Sequence, residues 1–299
     1  MSLLTTQRTL RRRQNFAPYL WVLPAVSLYT IFKLLPMLAG LYLALIQWDG
    51  IEPAKFVGLR NFQRMLEDEV IVLALLNNVK YAIGTVIGKI VLSLFLALLL
   101  NQALRARSFY RTALFLPVVM SFVVVGILWT WLYNAQFGLI NSLLQHLGLN
   151  FLILDWLGDP KVALWSLVMV DIWKWYGFHM VIFLAGLQTI PAELYEAARI
   201  DGASRWQQFY HITLPLLQPV MLVNVTLSLM GGFGVFDIPY VMTEGGPANS
   251  TIVMALHMYI QGFKFYKFGY AAAISYVMLT LVTVLAAIQM RLMARESVT

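Results

Sequence analysis

The sequence predicts an all-α integral membrane protein with six transmembrane helices. Of its 299 residues, 60% are hydrophobic and only 12% are charged. Soluble domains are about 45–50% apolar and about 25% charged. A chain with so few charged residues cannot cover a water-soluble globule with polar surface, so lipid is the solvent that this composition fits.

The second observation is a series of long apolar segments. A spanning helix needs about 20 mostly apolar residues. Backbone groups in lipid must be satisfied internally, which favours helices, and the segments lack the alternating pattern of a membrane β-barrel. Six segments meet the length test: 18–46, 71–100, 110–133, 162–187, 213–236 and 268–290.

The third observation is the distribution of basic residues between these segments. Lys and Arg concentrate on the side of the membrane that holds the cytoplasmic loops. Eleven Lys and Arg residues fall in 1–17, 101–111, 188–212 and 291–299, against six in 47–70, 134–161 and 237–267. We therefore expect both termini in the cytoplasm, as an even number of helices requires. The N-terminal arginines followed by a long apolar run indicate a retained first helix rather than a cleaved signal.

Several functional classes are excluded or disfavoured. The chain has no cysteine, and its four histidines lie far apart without ligand spacing, so we expect no metal site. The net charge of +7 comes from short clusters between apolar runs, which argues against nucleic-acid binding. Gly84-x-x-x-Gly88-Lys89 has three residues between its glycines, whereas a phosphate loop needs four and a following Ser or Thr. Close helix packing explains this spacing better.

The polar loop between helices four and five has the strongest local pattern. Pro191 suits a helix start, and Glu193 and Glu196 fall in or near the first turn, where they complement the helix dipole. Gly202 permits a turn with positive φ. Ser204 to Ile212 forms a second short helix, with apolar residues three apart on one face. The loop is either a docking surface for a partner or a connector that lies on the membrane.

Two charged residues lie deep in helix four. Asp171 and Lys174 are three residues apart, so they share a helix face and can pair. Ionisable groups at this depth are costly and usually face a cavity or a partner. Two interpretations remain open: a polar patch that binds a solute, or an internal ion pair that orients helices. The sequence offers no firm account of Lys33 and Lys89.

The loop also carries a family resemblance. Glu196-Ala-Ala-x-x-Asp201-Gly-Ala, followed by Phe209-x-x-Ile-x-Leu-Pro, resembles the EAA coupling loop of permeases in binding-protein-dependent ABC importers. The resemblance covers nearly the whole chain and includes three further motifs, at 111–117, 159–160 and 243–247. The last of them, Thr-Glu-Gly-Gly-Pro, is similar to the MalF-type permease of the carbohydrate-uptake subfamily. Glu244 stands where that family often has a third glycine.

The resemblance implies a permease that moves a sugar or polyol-type solute across a bacterial inner membrane by alternating access. It implies a domain order of 1–17 cytoplasmic segment, 18–70 first helix and external loop, 71–291 permease domain and 292–299 cytoplasmic tail. The residues implied to couple to the ATPase are Glu193, Glu196, Ala197, Ala198, Asp201, Gly202, Ala203 and Phe209. The residues implied to line the solute path are Asp171, Lys174, Trp175, Phe178, Ser228, Gly231 and Gly232.

The resemblance also implies the partners. They are a second, homologous permease, two ATPase subunits and an external solute-binding protein. ATP and Mg would bind the ATPase subunits, so we expect no cofactor and no catalytic residue in this chain. The alternatives are an ion-coupled secondary transporter, which should show inverted repeats and ion-relay carboxylates, and a membrane enzyme, which would need a polar catalytic cluster at one interface.

Overall fold

The computed structural model describes residues 19–102 and 105–296. The predicted segment 1–17 and the end of the predicted tail lie outside the described residues. The described chain is helical except for loops and two two-residue strands, β1 (Ile46–Gln47) and β2 (Lys55–Phe56), which the all-α prediction did not include. The helices are α1 Tyr19–Ala44, α2 Arg60–Glu67, α3 Glu69–Leu100, α4 Arg107–Val119, α5 Phe122–Leu132, α6 Leu139–His146, α7 Ala163–Leu187, α8 Ala192–Ile200, α9 Arg205–Leu216, α10 Gln218–Phe233, α11 Asp237–Thr243, α12 Met254–Tyr259 and α13 Phe268–Glu296.

Four of these helices are long and apolar enough to cross a membrane by themselves. They are α1, α3, α7 and the part of α13 up to Gln289. Two further candidates are bent pairs: α4 and α5 meet at 96°, and α9 and α10 meet at 67°. The described chain thus has four spans by length and composition, or up to six if each bent pair is one span. The sequence predicted 110–133 as one unbroken helix, and the structure corrects this. It predicted a separate short helix at 204–212 before the fifth segment at 213–236, and the structure extends that short helix to Leu216.

Proline and capping residues explain the two breaks. Pro117 lies in the last turn of α4, where it lacks an N–H donor and its ring disfavours the preceding helical geometry. Ser121 then caps α5 by accepting a hydrogen bond from the Val124 N–H at 3.3 Å, which is how an Ncap residue starts a new helix. At the second break, Pro219 occupies the first turn of α10, a position that tolerates proline because its N–H would be unsatisfied there.

The first compact unit comprises the described residues up to 64 together with 261–276. Its strands pair antiparallel, with Ile46 opposite Phe56. The buried Asn61 side chain donates to the carbonyls of Ala44 and Ile46, each at 2.9 Å. It thereby fastens the start of α2 to the end of α1.

The second compact unit comprises 65–260 and the described residues from 277 onward. In it, α3 packs against both α7 and α10, and α4 packs against α7. A Cβ at Gly88 would overlap the Ile172 Cδ1 atom, so a larger residue there would displace the Ile172 side chain where α3 and α7 are in close contact. The packing interpretation of Gly84 and Gly88 is confirmed. An apolar core joins α3, α7 and the end of α9 through Ala97, Leu100, Met180, Phe183, Leu184, Leu187 and Leu217.

Candidate functional site

The loop between α7 and α10 folds as two short helices with a defined turn. Helix α8 ends in a Schellman arrangement: the Ala203 N–H donates to the Ala198 carbonyl at 2.8 Å, and the Gly202 N–H donates to the Arg199 carbonyl at 3.1 Å. Gly202 has φ +81°, so the predicted positive φ is confirmed. Helix α9 then begins with a capping box formed by Ser204 and Gln207.

Side-chain hydrogen bonds hold these two helices together. The Tyr195 hydroxyl on α8 lies 2.9 Å from the Thr213 hydroxyl on α9. The Gln208 amide nitrogen donates to the Ala203 carbonyl at 2.9 Å. The first bond joins the two helices across the turn, and the second fixes the start of α9, so the loop is a preformed structure.

The residues of this loop that were predicted to couple to an ATPase are mostly on the surface. Phe209, Ala198 and Ala203 are partly buried. Exposed members of the set are Glu193, Glu196, Ala197, Asp201 and Gly202. Trp206 is 70% exposed and stacks on Tyr210, with ring centroids 6.0 Å apart. Tryptophan and tyrosine are enriched at protein interfaces, so these exposed rings are compatible with a docking surface.

A buried ion pair joins α3 to α7. The Lys89 ammonium lies 2.5 Å from the Asp171 Oδ2 atom, and both side chains are at most 7% exposed. This corrects the expected pairing of Asp171 with Lys174 and gives Lys89 the explanation that the sequence lacked. A helix surface offers partners on neighbouring helices as well as at i+3, and the Gly88 contact brings α3 close enough for its lysine to reach Asp171.

Lys174 has a different environment. Its ammonium donates to the carbonyls of Met120, Val118 and Pro117 at 2.6, 3.2 and 3.4 Å. It also lies 4.6 Å from the centroid of the Phe122 ring. The last carbonyls of a helix have no partner within that helix, and a cation there complements the helix dipole. Lys174 therefore closes the end of α4 at the break before α5.

Polar residues that sequence reasoning missed connect the same helices. Asn78 on α3 donates to the Phe233 carbonyl at 3.1 Å and accepts from the Met254 N–H at 2.7 Å. His179 on α7 lies 2.8 Å from the Asn224 side chain on α10. The signal was available, since buried polar side chains within apolar segments need partners. Together with the ion pair, these contacts join α3, α7, α10 and α12 through satisfied polar groups.

The structure divides the seven residues predicted to line a solute path into two groups. Asp171, Lys174, Ser228 and Gly232 are buried within the single chain. In this conformation they therefore present little surface to a solute. The members that reach the surface are Trp175, Phe178 and Gly231. Trp175 and Phe178 lie edge to face, with centroids 5.8 Å apart.

Gly232 has a packing role. A Cβ at this position would lie 2.8 Å from the Ala82 Cα atom on α3, so the absence of a side chain lets α10 contact the α3 backbone. Gly231, by contrast, has open space around it. Within the described residues, no three His, Cys, Asp or Glu side chains are grouped so as to hold a metal ion.

Long apolar helices, polar contacts that join α3, α7, α10 and α12, and a folded loop of two short helices are features of a helical membrane protein. Residues 89–297 match the family described as the binding-protein-dependent transport system inner membrane component. The chain belongs to this family, whose members are the permease subunits of ABC transporters and are not themselves enzymes.

Individual proteins resemble the chain over almost their full length. It is 37% identical to the lactose transport system permease protein LacF of Rhizobium radiobacter, covering 95% of this chain and 96% of LacF. It is 36% identical to the trehalose/maltose transport system permease protein MalF of Thermococcus litoralis, covering 92% of each chain. A bacterial alginate ABC transporter, solved in complex with its alginate pentasaccharide-bound periplasmic protein, has the same fold, with a TM-score of 0.80, 23% identity and 93% of each chain covered.

Proposed function

We propose that this chain is one permease of an ATP-driven importer for a sugar or a related polyol-type solute, such as an oligosaccharide, a glycoside or a glycerol ester. The observation that carries the proposal is the preformed loop at α8 and α9, which presents the EAA residues on its surface. The names of the relatives support the class of solute. The chain would lie in a bacterial inner membrane with six spans, of which α4 and α5 together form the third and α10 forms the fifth, and with both termini in the cytoplasm.

The remaining subunits supply what this chain does not carry. A second, homologous permease completes the path, two ATPase subunits bind ATP and Mg, and an external binding protein delivers the solute. The complex that the alginate transporter forms with its periplasmic protein supports the last of these partners.

Transport would follow from rigid-body motion. When ATP closes the ATPase pair, the docked α8–α9 loop moves with it. The loop continues directly into α7 and α10, and the polar contacts of Asn78, Lys89 and His179 make α3 and α12 move with them. A ligand can shift such an equilibrium only by its differential affinity for the two states. ATP on the partner subunits provides that difference.

The topology can be tested with single cysteines, because the chain contains none. Asn150 and Asn249 are exposed in loops proposed to be external, and Ala192 is exposed at the start of the proposed cytoplasmic loop. In intact cells, an impermeant thiol reagent should label cysteines at 150 and 249, and label one at 192 only after permeabilisation. Labelling at 192 in intact cells would contradict the orientation.

The solute path can be tested on α7. Aromatic rings pack on the apolar faces of sugars, and Trp175 and Phe178 reach the surface. We expect Trp175→Ala and Phe178→Ala to lower the uptake rate several-fold while the basal ATPase activity of the complex stays intact. Met169→Ala is the matched control, since Met169 is 58% exposed on the same helix. Equal uptake by all three variants would remove these aromatic residues from the path.

Reconstituted vesicles test the function as a whole. With both permeases, the ATPase and the loaded binding protein present, uptake should require ATP and should stop when the ATPase is omitted. Uptake driven by an ion gradient without ATP would instead identify a secondary transporter.

A further inference from the structure

An apolar cleft lies between α3 and the docking loop. It has a volume of about 580 Å³, within the range of known ligand sites, about 300–1,000 Å³. One wall is a single face of α3, at positions i, i+3, i+4 and i+7. The residues of that wall are Val91, Leu94, Phe95 and Leu98. The opposite wall comes from α8 and α9 and consists of Tyr195, Arg205, Trp206, Gln208, Phe209 and Thr213.

The position of the cleft favours a ligand that comes from the membrane. Its α3 wall belongs to a helix that is long and apolar enough to span a bilayer, so a membrane lipid can approach the cleft along this helix. Trp206 is 70% exposed at the other wall. Tryptophan with a basic neighbour is typical of the boundary between acyl chains and head groups.

The charge of Arg205 favours a ligand with an anionic head group. Arg205 is exposed and makes no ion pair with any residue that the structure describes. An arginine guanidinium binds phosphate with two parallel hydrogen bonds. The hydroxyls of Tyr195 and Thr213 add polar groups to the same wall. Apolar walls that include an exposed arginine fit a phospholipid better than they fit a second apolar helix.

We propose that this cleft is a binding site for an anionic phospholipid, with its acyl chains against α3 and its phosphate at Arg205. The proposal rests on the proposed function only in assigning the site to the cytoplasmic leaflet. Anionic lipids of that leaflet attract basic residues near the membrane surface. A lipid in this cleft would contact the spanning helix and the docking loop together.

The test uses the whole importer in lipid nanodiscs. Matched photoactivatable probes of phosphatidylglycerol and phosphatidylcholine are crosslinked, and the labelled peptides are identified. For the wild type we expect several-fold more phosphatidylglycerol than phosphatidylcholine on the peptides around 91–98 and 205–213. Arg205→Gln should abolish that preference, whereas Arg199→Gln, which removes an exposed arginine outside the cleft, should keep it. Leu94→Trp should fill the cleft and lower labelling by both probes.

Three results would overturn the lipid site. They are equal labelling of the wild type by the two probes, an unchanged preference in Arg205→Gln, and exclusion of both probes by a helix of the second permease. Uptake is not part of this measurement. A complex that selects the anionic probe but fails to transport would therefore contradict the proposed function alone, and the reverse result would contradict the lipid site alone.

Discussion

Asp171→Asn and Lys89→Gln are each expected to destabilise the purified permease strongly, and the two together are expected to restore most of the loss. Removing one partner of a buried ion pair leaves an uncompensated charge and costs about 3–5 kcal/mol, whereas replacing both partners is often close to neutral. In the double variant, two neutral amides replace the two opposite charges between α3 and α7, so no unpaired charge stays buried. The measurement is chemical unfolding of the purified importer in detergent.

Lys174 provides the control for this experiment. Its ammonium binds the carbonyls at the end of α4 and not Asp171. Combining Asp171→Asn with Lys174→Gln should therefore fail to restore stability, although these two residues are neighbours on one helix face. Rescue by Lys174→Gln, or no rescue by Lys89→Gln, would show that the pairing in the folded protein differs from the one described.

The stability of the Asp171→Asn variant also tests whether Asp171 contacts the solute. If Asp171 contacted solute and had no structural partner, Asp171→Asn would reduce uptake and leave the stability of the complex unchanged. The burial of the Asp171 side chain, which is 7% exposed, gives the opposite expectation: uptake and stability fall together, and both recover in the double variant with Lys89→Gln.

Hydropathy and local patterns predicted much of this fold because they depend on short-range physics. Any apolar segment of spanning length must be a helix in lipid, which is why the predicted limits of α3 and α7 differ from the observed ones by two residues or fewer. The turn at Gly202 was predictable for the same reason, since a glycine after a short helix permits the positive φ that a Schellman arrangement needs.

The break between α4 and α5 had a local signal that a hydropathy window does not register. A hydropathy average over a long window barely changes when one of its residues is proline. Pro117 nevertheless cannot continue the hydrogen bonding of α4, because it has no N–H group. The structure shows the result as a 96° bend. Weighing proline separately from hydropathy would have placed this break in the correct turn.

The partner of Asp171 could not be predicted, because it depends on how two helices meet. Lys89 and Asp171 are far apart in sequence, and only the rotation and axial position of α3 against α7 bring them together. The same holds for the pairing of His179 with Asn224. A single sequence indicates that such residues need partners but does not say which helix supplies them. For the same reason, the sequence did not indicate which of the predicted solute-lining residues are buried between helices in this conformation.

Glu196→Lys and Gly202→Val are expected to reduce solute uptake at least tenfold while the permease stays folded in the membrane. Glu196 is exposed on α8, where it can pair with a basic group of the ATPase. Desolvated charge pairs at interfaces couple by about 1.5–7 kcal/mol, and about 1.4 kcal/mol corresponds to a factor of ten. Gly202 has φ +81° and open space where a Cβ would stand, so valine there meets backbone strain and no clash. The strain would turn α9 away from its docking position.

Two control variants distinguish a loss of docking from the general effects of backbone strain and of charge reversal. Gly148 also has a positive φ, +73°, and open space around it, but it lies in a loop proposed to be external. Gly148→Val therefore carries a similar strain, about 1–3 kcal/mol, without touching the docking loop. Glu52 is exposed in the loop between β1 and β2, so Glu52→Lys makes the same charge change elsewhere. Both controls should transport normally.

The measurements are uptake, stimulation of ATP hydrolysis by the loaded binding protein, and co-purification of the ATPase with the permease. If α8 and α9 are the coupling element, Glu196→Lys and Gly202→Val lose uptake together with either stimulation or ATPase binding, because a displaced loop cannot transmit motion to α7 and α10. Ala198 is partly buried in this loop. Ala198→Ser should therefore be tolerated, whereas Ala198→Trp should hold the loop away from the ATPase surface and lose uptake. Normal uptake and stimulation with Glu196→Lys and Gly202→Val combined would mean that the motion enters the permease elsewhere, and the role proposed for the exposed EAA residues would fall.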